Sequence, residues 1–224
     1  MTKRKLQKFA ELGTFENVFQ PKNVDFIYNG FFLKGKWASE YFINSNPVIL
    51  ELGCGKGEYT TGLAEKYPGK NFIGIDIKGE RLWKGSKTAL DKKINNVAFI
   101  RTQIEHINYF FNKDEVSEIW ITFPDPQPNK PKTKKRLISP KFLDRYMKIL
   151  VPGGIIHLKT DNVPLFDYSL DVIKNAGHNL LYKTHDLYGN ELIDDVLSIK
   201  TFYEKMFLEE GLPICYLKFQ FNFQ

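Results

Sequence analysis

From residue 47 onward, short apolar runs alternate with amphipathic stretches, which predicts alternating strands and helices. Five runs have the length of buried strands: VILEL (48–52), NFIGID (71–76), VAFI (97–100), EIWITF (118–123) and IIHLKT (155–160). Between and after them, apolar residues at helical spacing predict helices over 58–67, 80–90, 139–150 and 164–176. The tail ICYLKFQFNF (214–223) alternates like a closing antiparallel pair. The pattern predicts an α/β fold, with a mostly parallel sheet covered by helices on both faces.

Residues 1–45 lack this periodicity, so we expect a partly irregular N-terminal arm with a basic start. One domain would then fill residues 46–224, which is long enough to bury a full core. No apolar run reaches the length of a membrane span, and the start MTKRKLQKF lacks the apolar core of a signal peptide. Cys54 and Cys215 have no metal-ligand spacing, so we expect free thiols in a cytoplasmic protein.

The net charge of +6 is concentrated in two patches. Residues 130–148 contain eight Lys and Arg against one acid, and residues 1–8 contain four against none. The remainder of the chain is therefore acidic. Two basic patches on an acidic body indicate a polyanionic partner, although lysine runs also serve as plain solvated surface.

A glycine-rich loop, ELGCGKGEYT, follows the first predicted strand. Gly53, Gly55 and Gly57 permit positive φ and close backbone approach, so a ligand can lie against the loop. Asp76 ends the second strand, where its carboxylate can accept hydrogen bonds from both hydroxyls of a ribose. The pattern predicts a nucleoside-containing cofactor, unless the glycines serve only a tight turn.

The residue after the loop distinguishes two cofactors. A dinucleotide fingerprint needs a small residue at position 58, but Glu58 stands there, and its charge would oppose a pyrophosphate at the helix N-terminus. S-adenosylmethionine has no phosphate and carries a sulfonium and an ammonium, which tolerate carboxylates such as Glu51 and Glu58. These acids therefore favour a methyl donor over NAD.

The stretch ITFPDPQPNKPKTKKRL (121–137) runs from the fourth predicted strand into a proline turn and a basic tail. Asp125 leaves the strand at the edge where ligands of open parallel sheets bind, and the prolines restrict the backbone around it. The alternative is an Asx turn with no part in chemistry. An acid facing a base, with a basic tail neutralising phosphates, favours a nucleic-acid methylase over a small-molecule one.

Four segments together resemble the tRNA (guanine-N7-)-methyltransferase family over about residues 48–213: ELGCGKG, PDPQPNKPKTKKR, KTDN (159–162) and TFYE (201–204). The resemblance implies a Rossmann-like class I methyltransferase fold, with a seven-stranded, mostly parallel sheet and an antiparallel C-terminal strand. It also implies S-adenosylmethionine-dependent methylation of guanine N7 in tRNA, at position 46 in the variable loop.

Carried onto this sequence, the resemblance makes Asp125 the catalytic acid. The implied cofactor contacts are Glu51, Gly53, Gly55, Gly57, Asp76, Gln103 and Asp125. The implied substrate contacts are Asn129, Lys130, Asp161, Thr201 and Glu204, and the implied RNA contacts are Lys132, Lys134, Lys135 and Arg136. Without the motif, Glu204 would be interpreted as a plain surface acid on an amphipathic helix.

The chain departs from the family pattern at several of these positions. Three departures fall in the proline and basic segment: Gln127 for a usual Trp, Asn129 for a Lys, and Pro131–Lys132 for an Arg-His pair. Gln103 replaces an Asp that contacts adenine, and its amide oxygen can still accept from the adenine amino group. We expect cofactor binding to be weaker but intact and RNA binding to differ from that of the family. Lys130 could replace the lysine that is missing at position 129.

Methylation of guanine N7 requires little proton chemistry, because N7 is an unprotonated lone pair. In-line positioning of sulfur, methyl and N7, with carboxylates near the cationic product, would supply the catalysis. We therefore expect no metal and assign structural roles to the scattered histidines His106, His157, His178 and His185.

Two other functions stay open: adenine-amino methylation, which PDPQP superficially suggests, and RNA binding without catalysis. The protein is expected to be a monomer or a homodimer.

Overall fold

The computed structural model describes residues 3–189, 197 and 199–222. Its strands are β1 (Val18–Phe19), β2 (Val48–Leu52), β3 (Asn71–Asp76), β4 (Val97–Arg101), β5 (Val116–Thr122), β6 (Leu150–Thr160), β7 (Asn179–Thr184) and β8 (Cys215–Gln220). They form one sheet in the order β1-β4-β3-β2-β5-β6-β8-β7. Neighbours pair in parallel from β1 through β6, whereas β8 is antiparallel to β6 and β7.

The helices connect the strands and cover the sheet. They are α1 (Lys3–Leu12), α2 (Asn23–Asn29), α3 (Glu58–Lys66), α4 (Gly79–Asp91), α5 (Ile107–Phe110), α6 (Pro140–Tyr146), α7 (Val163–Asn175) and α8 (Phe202–Glu209). A π-helical turn covers Trp37–Tyr41, and 3₁₀ turns cover Ile104–His106 and Lys130–Lys135. None of the helices among the described residues combines the length and apolar character needed to cross a membrane.

This architecture confirms the predicted fold class. The five strands predicted from apolar runs are present as β2 to β6, and β2 and β3 have the predicted bounds. The sheet has eight strands rather than seven, because the two residues of β1 pair with Phe99 and Ile100 of β4. β7 escaped prediction because most of its side chains are exposed and form no buried apolar run.

The helix predicted over 139–150 is wrong at its end, since α6 stops at Tyr146 and Leu150 begins β6. The apolar stripe runs on past the helix because the sheet buries the next residues. Ile149 is 1% exposed and Leu150 0%, and Leu150 pairs with Val116 of β5.

Hydrophobic cores lie on both faces of the sheet. In β2, Leu50 and Leu52 belong to one core and Ile49 belongs to the other. A strand buried on both faces needs apolar residues at successive positions, which explains the uninterrupted runs in the sequence. Both cysteines are buried free thiols.

The N-terminal residues 3–45 pack onto the rest of the fold. α1 lies against α4, where Trp83 Nε1 donates to Glu11 Oε2 at 2.8 Å. Trp37 is fully buried, and its Nε1 donates to the Phe110 carbonyl oxygen at 2.9 Å. The segment therefore shares its cores with the other described residues.

The order of the strands places a ligand crevice in the centre of the sheet. β3 and β4 lie on one side of β2, whereas β5 and β6 lie on the other. At such a reversal the loops after the two central strands diverge and leave room for a ligand at their carboxyl ends. The glycine loop follows β2 and the Asp125 turn follows β5, so these two segments flank the crevice.

Candidate active site

A cavity of about 550 Å³ lies at this crevice, between the loops that follow β2, β3, β4 and β5. Five predicted site residues line it: Gly53, Asp76, Gln103, Asp125 and Lys135. Part of its wall is apolar, with side chains that include Ile77, Ile104, Phe123, Leu137 and Phe142. A cavity of this size, with a partly apolar wall and several polar side chains, suits a small-molecule cofactor.

Asp76 joins the end of β3 to the glycine loop. Its Oδ2 accepts from the Gly55 N–H at 2.9 Å, and its Oδ1 accepts from the Lys78 N–H at 2.7 Å. A carboxylate has about four acceptor positions, so these two bonds leave capacity for a ligand hydroxyl. Gln103 stands exposed in the loop after β4, on the wall of the same cavity.

A smaller cavity of about 60 Å³ adjoins the main one, and both are lined by Gly53 and Phe123. Glu51, Gly55, Glu58 and Thr201 also line it. The lining also includes Lys56 and Arg81, so this end of the crevice presents two acids and two cations to a ligand.

Glu51 lies in β2 beneath the glycine loop and is only 3% exposed. Its Oε2 accepts from the Thr60 N–H at 2.9 Å and from the Thr60 hydroxyl, while its Oε1 accepts from the Thr122 hydroxyl at 2.6 Å. Burial raises the pKa of Glu51 to about 7, against the effect of these hydrogen bonds, which favour the charged form.

Gly57 has a packing role rather than a direct place in either cavity. Its φ is 67°, in the region that favours glycine, and a Cβ there would lie 2.7 Å from the Phe99 ring. The same Cβ would lie 3.2 Å from the Gly85 Cα of α4. Gly57 therefore permits α3 to begin close to β4 and α4.

The turn after β5 holds Asp125 exposed at the cavity. Its Oδ1 accepts from the Gln127 N–H at 3.0 Å, so the Asx turn considered from the sequence is present. Among the described residues, Oδ2 has no hydrogen-bond partner. Phe123 and Gln127 both have left-handed φ values, 48° and 45°, although neither is glycine. Such residues are costly to the fold and cluster at functional sites.

The basic run after this turn forms the 3₁₀ segment Lys130–Lys135. Asn129 precedes it and is exposed, and its carbonyl oxygen accepts from the Lys132 N–H at 2.8 Å. The predicted RNA contacts Lys132, Lys134 and Lys135 are exposed. The side chain of Lys130 lies outside the described part of the structure.

Arg136 differs from these lysines, because it is partly buried and contacts the protein itself. Its Nε donates to the Pro126 carbonyl oxygen at 3.0 Å, and its guanidinium lies 4.3 Å from the centre of the Tyr168 ring on α7. Arg136 was expected on the RNA surface, but its polar head is engaged within the fold.

Glu204 is fully buried, so its interpretation as a plain surface acid is wrong. Its Oε1 lies 2.5 Å from the Nζ of the equally buried Lys159, and it accepts from the Tyr188 hydroxyl at 2.7 Å. Its backbone N–H donates to the Thr201 hydroxyl at 3.1 Å, and its Oε2 accepts from the Thr201 N–H at 3.3 Å, which completes a capping box on α8. The resemblance assigns this carboxylate to guanine, but in this structure it is paired inside the protein.

Two charged groups near this cluster have shifted pKa values. Burial lowers the pKa of the Lys159 ammonium, against the opposing effect of the Glu204 carboxylate. Burial raises the pKa of Asp161, which follows β6 and is half-buried, and the nearby charge of Glu210 adds to the rise. Asp161 lines neither of the two cavities.

Several residues that build the site had no predicted role. Thr60 and Thr122 bind Glu51, and Lys159 binds Glu204. The available signal for Lys159 was a lysine in the apolar run IIHLKT, because a lysine within a buried strand needs a buried acid.

The four histidines lie away from the two cavities. His157 is buried, stacks on Trp120 with ring centres 3.8 Å apart, and its Nδ1 lies 2.9 Å from the Tyr216 hydroxyl. Across the described part of the chain, no group of three or more His, Cys, Asp or Glu residues could hold a metal ion.

Comparison with known proteins identifies the family. A family model described as a putative methyltransferase matches residues 45–217. The tRNA (guanine-N(7)-)-methyltransferase of Christiangramia forsetii is 54% identical over 98% of this chain and 98% of its own length. A protein of the same name from Bacteroides fragilis is 50% identical over 98% of this chain and 86% of its own length. The chain belongs to the tRNA (guanine-N7-)-methyltransferase family.

Solved structures with the same fold are more distant relatives. The 16S rRNA methyltransferase KamB superposes with a TM-score of 0.61 at 14% identity, over 84% of this chain and 92% of that one. A variant of the 16S rRNA (adenine(1408)-N(1))-methyltransferase from Catenulisporales acidiphilia, with the cosubstrate SAM, superposes with a TM-score of 0.56 at 12% identity. It covers 85% of this chain and 92% of its own. These likenesses confirm the Rossmann-like class I methyltransferase fold.

Membership of the tRNA (guanine-N7-)-methyltransferase family confirms two predictions made from the sequence. The family named from the four motifs is correct, and the chain is a methyltransferase enzyme. RNA binding without catalysis is therefore set aside.

Proposed function

We propose that the protein transfers a methyl group from S-adenosylmethionine to N7 of a guanine in tRNA, at position 46 in the variable loop. The names of its curated relatives support the reaction and the substrate. The observation that carries the proposal to this chain is one cavity lined by Asp76, Asp125 and Lys135. It combines an acid suited to ribose, an acid suited to a purine, and a cation of the basic run suited to phosphate.

The residues of the crevice fit S-adenosylmethionine. Asp76 would accept from the ribose hydroxyls, the Gln103 amide oxygen would accept from the adenine amino group, and Gly53 permits close approach of the ligand. Glu51 and Glu58 would face the cationic end of the molecule from the smaller cavity, whose lining also includes Lys56 and Arg81. When bound, S-adenosylmethionine supplies a methyl group on a positively charged sulfur.

The contribution of the protein to the transfer is positioning and electrostatics. Guanine N7 carries a lone pair and no proton, so no residue needs to act as a general base. The purine would become cationic as N7 bonds to the methyl carbon and the carbon–sulfur bond breaks, which leaves a neutral thioether, and the Asp125 carboxylate would stabilise the charge on the purine. The restrained turn around Asp125 supports this role, because catalysis depends steeply on the position of the groups involved.

We propose that tRNA binds across the mouth of the main cavity. Exposed lysines of the basic run, Lys132, Lys134 and Lys135, would neutralise phosphates and so supply affinity and orientation. Asn129, Lys130, Asp161 and Thr201 remain the proposed contacts to the target nucleotide, which an enzyme acting on a base must extrude or find unpaired. We assign Glu204 to fixing Thr201 and the first turn of α8, because its carboxylate is fully buried.

A tRNA substrate also supports the expected cytoplasmic location. The expected state of association, monomer or homodimer, stays a prediction.

Methyl transfer to defined tRNA transcripts tests the proposal. Purified protein is incubated with labelled S-adenosylmethionine and tRNA, and the nucleosides are then separated and identified by mass spectrometry. We expect label in 7-methylguanosine from a tRNA with guanine at position 46, and none from the same tRNA with adenine there. Label in N6-methyladenosine would establish adenine-amino methylation instead, and an absence of label in every tRNA would refute the proposal.

A further inference from the structure

The backbone around Asp125 is strained at both ends of its turn. Phe123 and Gln127 have φ values of 48° and 45°, which bulky side chains rarely adopt. Such a residue destabilises the fold and persists only where its surroundings fix it. The position of Asp125 therefore depends on what holds residues 123 and 127.

The first end of the turn is fixed by β6 and α8. The Phe123 N–H donates to the Lys159 carbonyl oxygen at 2.8 Å, and the Phe123 ring lies 5.7 Å from the Phe207 ring, centre to centre. These contacts anchor the start of the turn.

The second end of the turn is fixed by Arg136. Its Nε donates to the Pro126 carbonyl oxygen at 3.0 Å, and its Nη2 donates to the Gln127 carbonyl oxygen over a longer 3.4 Å. The guanidinium lies 4.3 Å from the centre of the Tyr168 ring, so α7 supports it from one side. A planar guanidinium can fork to two acceptors and stack on a ring together, whereas a lysine ammonium is a single compact charge.

We propose that Arg136 is a positioning residue that holds the Asp125 turn in its working conformation, rather than one more cation for RNA. The inference rests on the proposed function of Asp125. It divides the basic run into two parts: exposed lysines that meet phosphate, and a final arginine that ties the run to the catalytic turn. Arg136 is the member of the run whose charged group bonds to the backbone of the turn, within the described residues.

Arg136→Lys tests the proposal because it keeps the positive charge but removes the planar group that donates to both carbonyl oxygens, those of Pro126 and Gln127. Amide hydrogen exchange is followed by NMR at Gln127, whose N–H donates to Asp125 Oδ1. We expect this exchange to become faster by about tenfold or more as the turn opens locally. At saturating tRNA and cofactor, kcat should fall by about 10- to 100-fold, as for small misplacements of a catalytic group. The salt dependence of tRNA affinity should not change, because the number of cations is the same.

Two control variants separate this role from a general loss of packing. Arg145 also donates to backbone carbonyl oxygens, those of Glu105 at 3.1 Å and Lys141 at 2.8 Å, but it does not contact the Asp125 turn. Arg145→Lys should leave the exchange of Gln127 at the wild-type rate. Tyr168→Phe keeps the ring under the guanidinium and should also leave that exchange unchanged.

The proposal is overturned if the Gln127 amide of the Arg136→Lys variant exchanges its hydrogen at the wild-type rate. It is also overturned if exchange becomes faster while kcat is unchanged, because Arg136 would then fix the turn without affecting Asp125. A wild-type protein that transfers no methyl group to tRNA would refute the proposed function. The exchange comparison needs no activity, so it would still decide whether Arg136 holds the turn.

Discussion

Asp125 and Glu204 are two acids that the family resemblance assigns to one reaction, yet their surroundings are opposite. Asp125 is exposed at the main cavity, and one of its oxygens accepts from the Gln127 N–H. Glu204 is fully buried and paired with the equally buried Lys159. An exposed carboxylate can meet a new positive charge at little cost, whereas a carboxylate paired in a core must first break its pair.

Motif membership therefore does not by itself make an acid part of the methyl-transfer reaction. A buried ion pair adds little net stability, but removing one partner leaves an uncompensated charge in the core. Replacing an exposed acid has the opposite effect, because it changes the free energy of unfolding little. Stability and activity measured on the same variants should therefore separate the two roles.

The largest effect expected is on the stability of Glu204→Ala. The variant leaves the Lys159 ammonium buried without its partner, so the unfolding free energy should fall by about 3–5 kcal/mol. Urea denaturation followed by circular dichroism measures this. The double variant Lys159→Met/Glu204→Leu removes both charges and should recover most of the loss. A Glu204→Ala protein as stable as wild type would show that the pair does not hold the core.

The second prediction concerns Asp125→Asn, which removes charge but keeps an oxygen able to accept from the Gln127 N–H. Its rate of methyl transfer to tRNA should fall by about 10²- to 10³-fold, the usual effect of removing one electrostatic group from an active site. Its unfolding free energy should stay within about 0.5 kcal/mol of wild type, as for other exposed positions. If Asp125→Asn lost as much stability as Glu204→Ala, the two acids would not differ in their structural role.

Glu51 is a third kind of acid, because it is buried like Glu204 but bonded to neutral partners, the hydroxyls of Thr60 and Thr122. Its pKa is raised from an ordinary 4.5 to about 7 in the fold, so between these pH values the folded state binds more protons than the unfolded state. Its contribution to stability is therefore full below pH 4.5 and is lost as pH rises through about 7.

We expect this loss to be about 3 kcal/mol, at about 1.36 kcal/mol for each pKa unit. Denaturation of wild type and Glu51→Gln from pH 4.5 to 7.5 measures it, because the glutamine lacks the titration. Parallel pH profiles for the two proteins would show that Glu51 does not titrate in this range.

The smallest effect is expected at the exposed lysines. The double variant Lys134→Ala/Lys135→Ala should bind tRNA several-fold more weakly and reduce the slope of log affinity against log salt by about 2, one for each phosphate contact. Its thermal stability should match that of wild type. An unchanged slope, measured by fluorescence anisotropy over a series of salt concentrations, would remove these lysines from the RNA surface.

Much of the site follows from the sequence because it depends on local features. Gly53 lies between a strand and a helix, and Asp76 and Asp125 lie where strands end. In a parallel sheet all three therefore lie at the edge formed by the carboxyl ends of the strands. The positions of strands buried on both faces are equally visible, since each is a short apolar run. These features need no knowledge of distant contacts.

The roles of Glu204 and Arg136 could not be predicted because each depends on a distant partner. Burial of Glu204 depends on Lys159 of β6, and the engagement of Arg136 depends on the fold of the turn and on Tyr168 of α7. In the sequence, Arg136 is one cation among several, and Glu204 is one acid on an amphipathic helix. Tertiary packing decides which members of such groups leave the surface.

The most direct test of the division between the two acids is the single-turnover rate of 7-methylguanosine formation, with enzyme in excess over tRNA. It is measured for wild type, Asp125→Asn and the charge-free double variant Lys159→Met/Glu204→Leu. We predict that the double variant, once folded, stays within a few fold of wild type, while Asp125→Asn loses about 10²-fold or more. An equal loss in both variants would contradict the account, because the Glu204 carboxylate would then take part in the reaction.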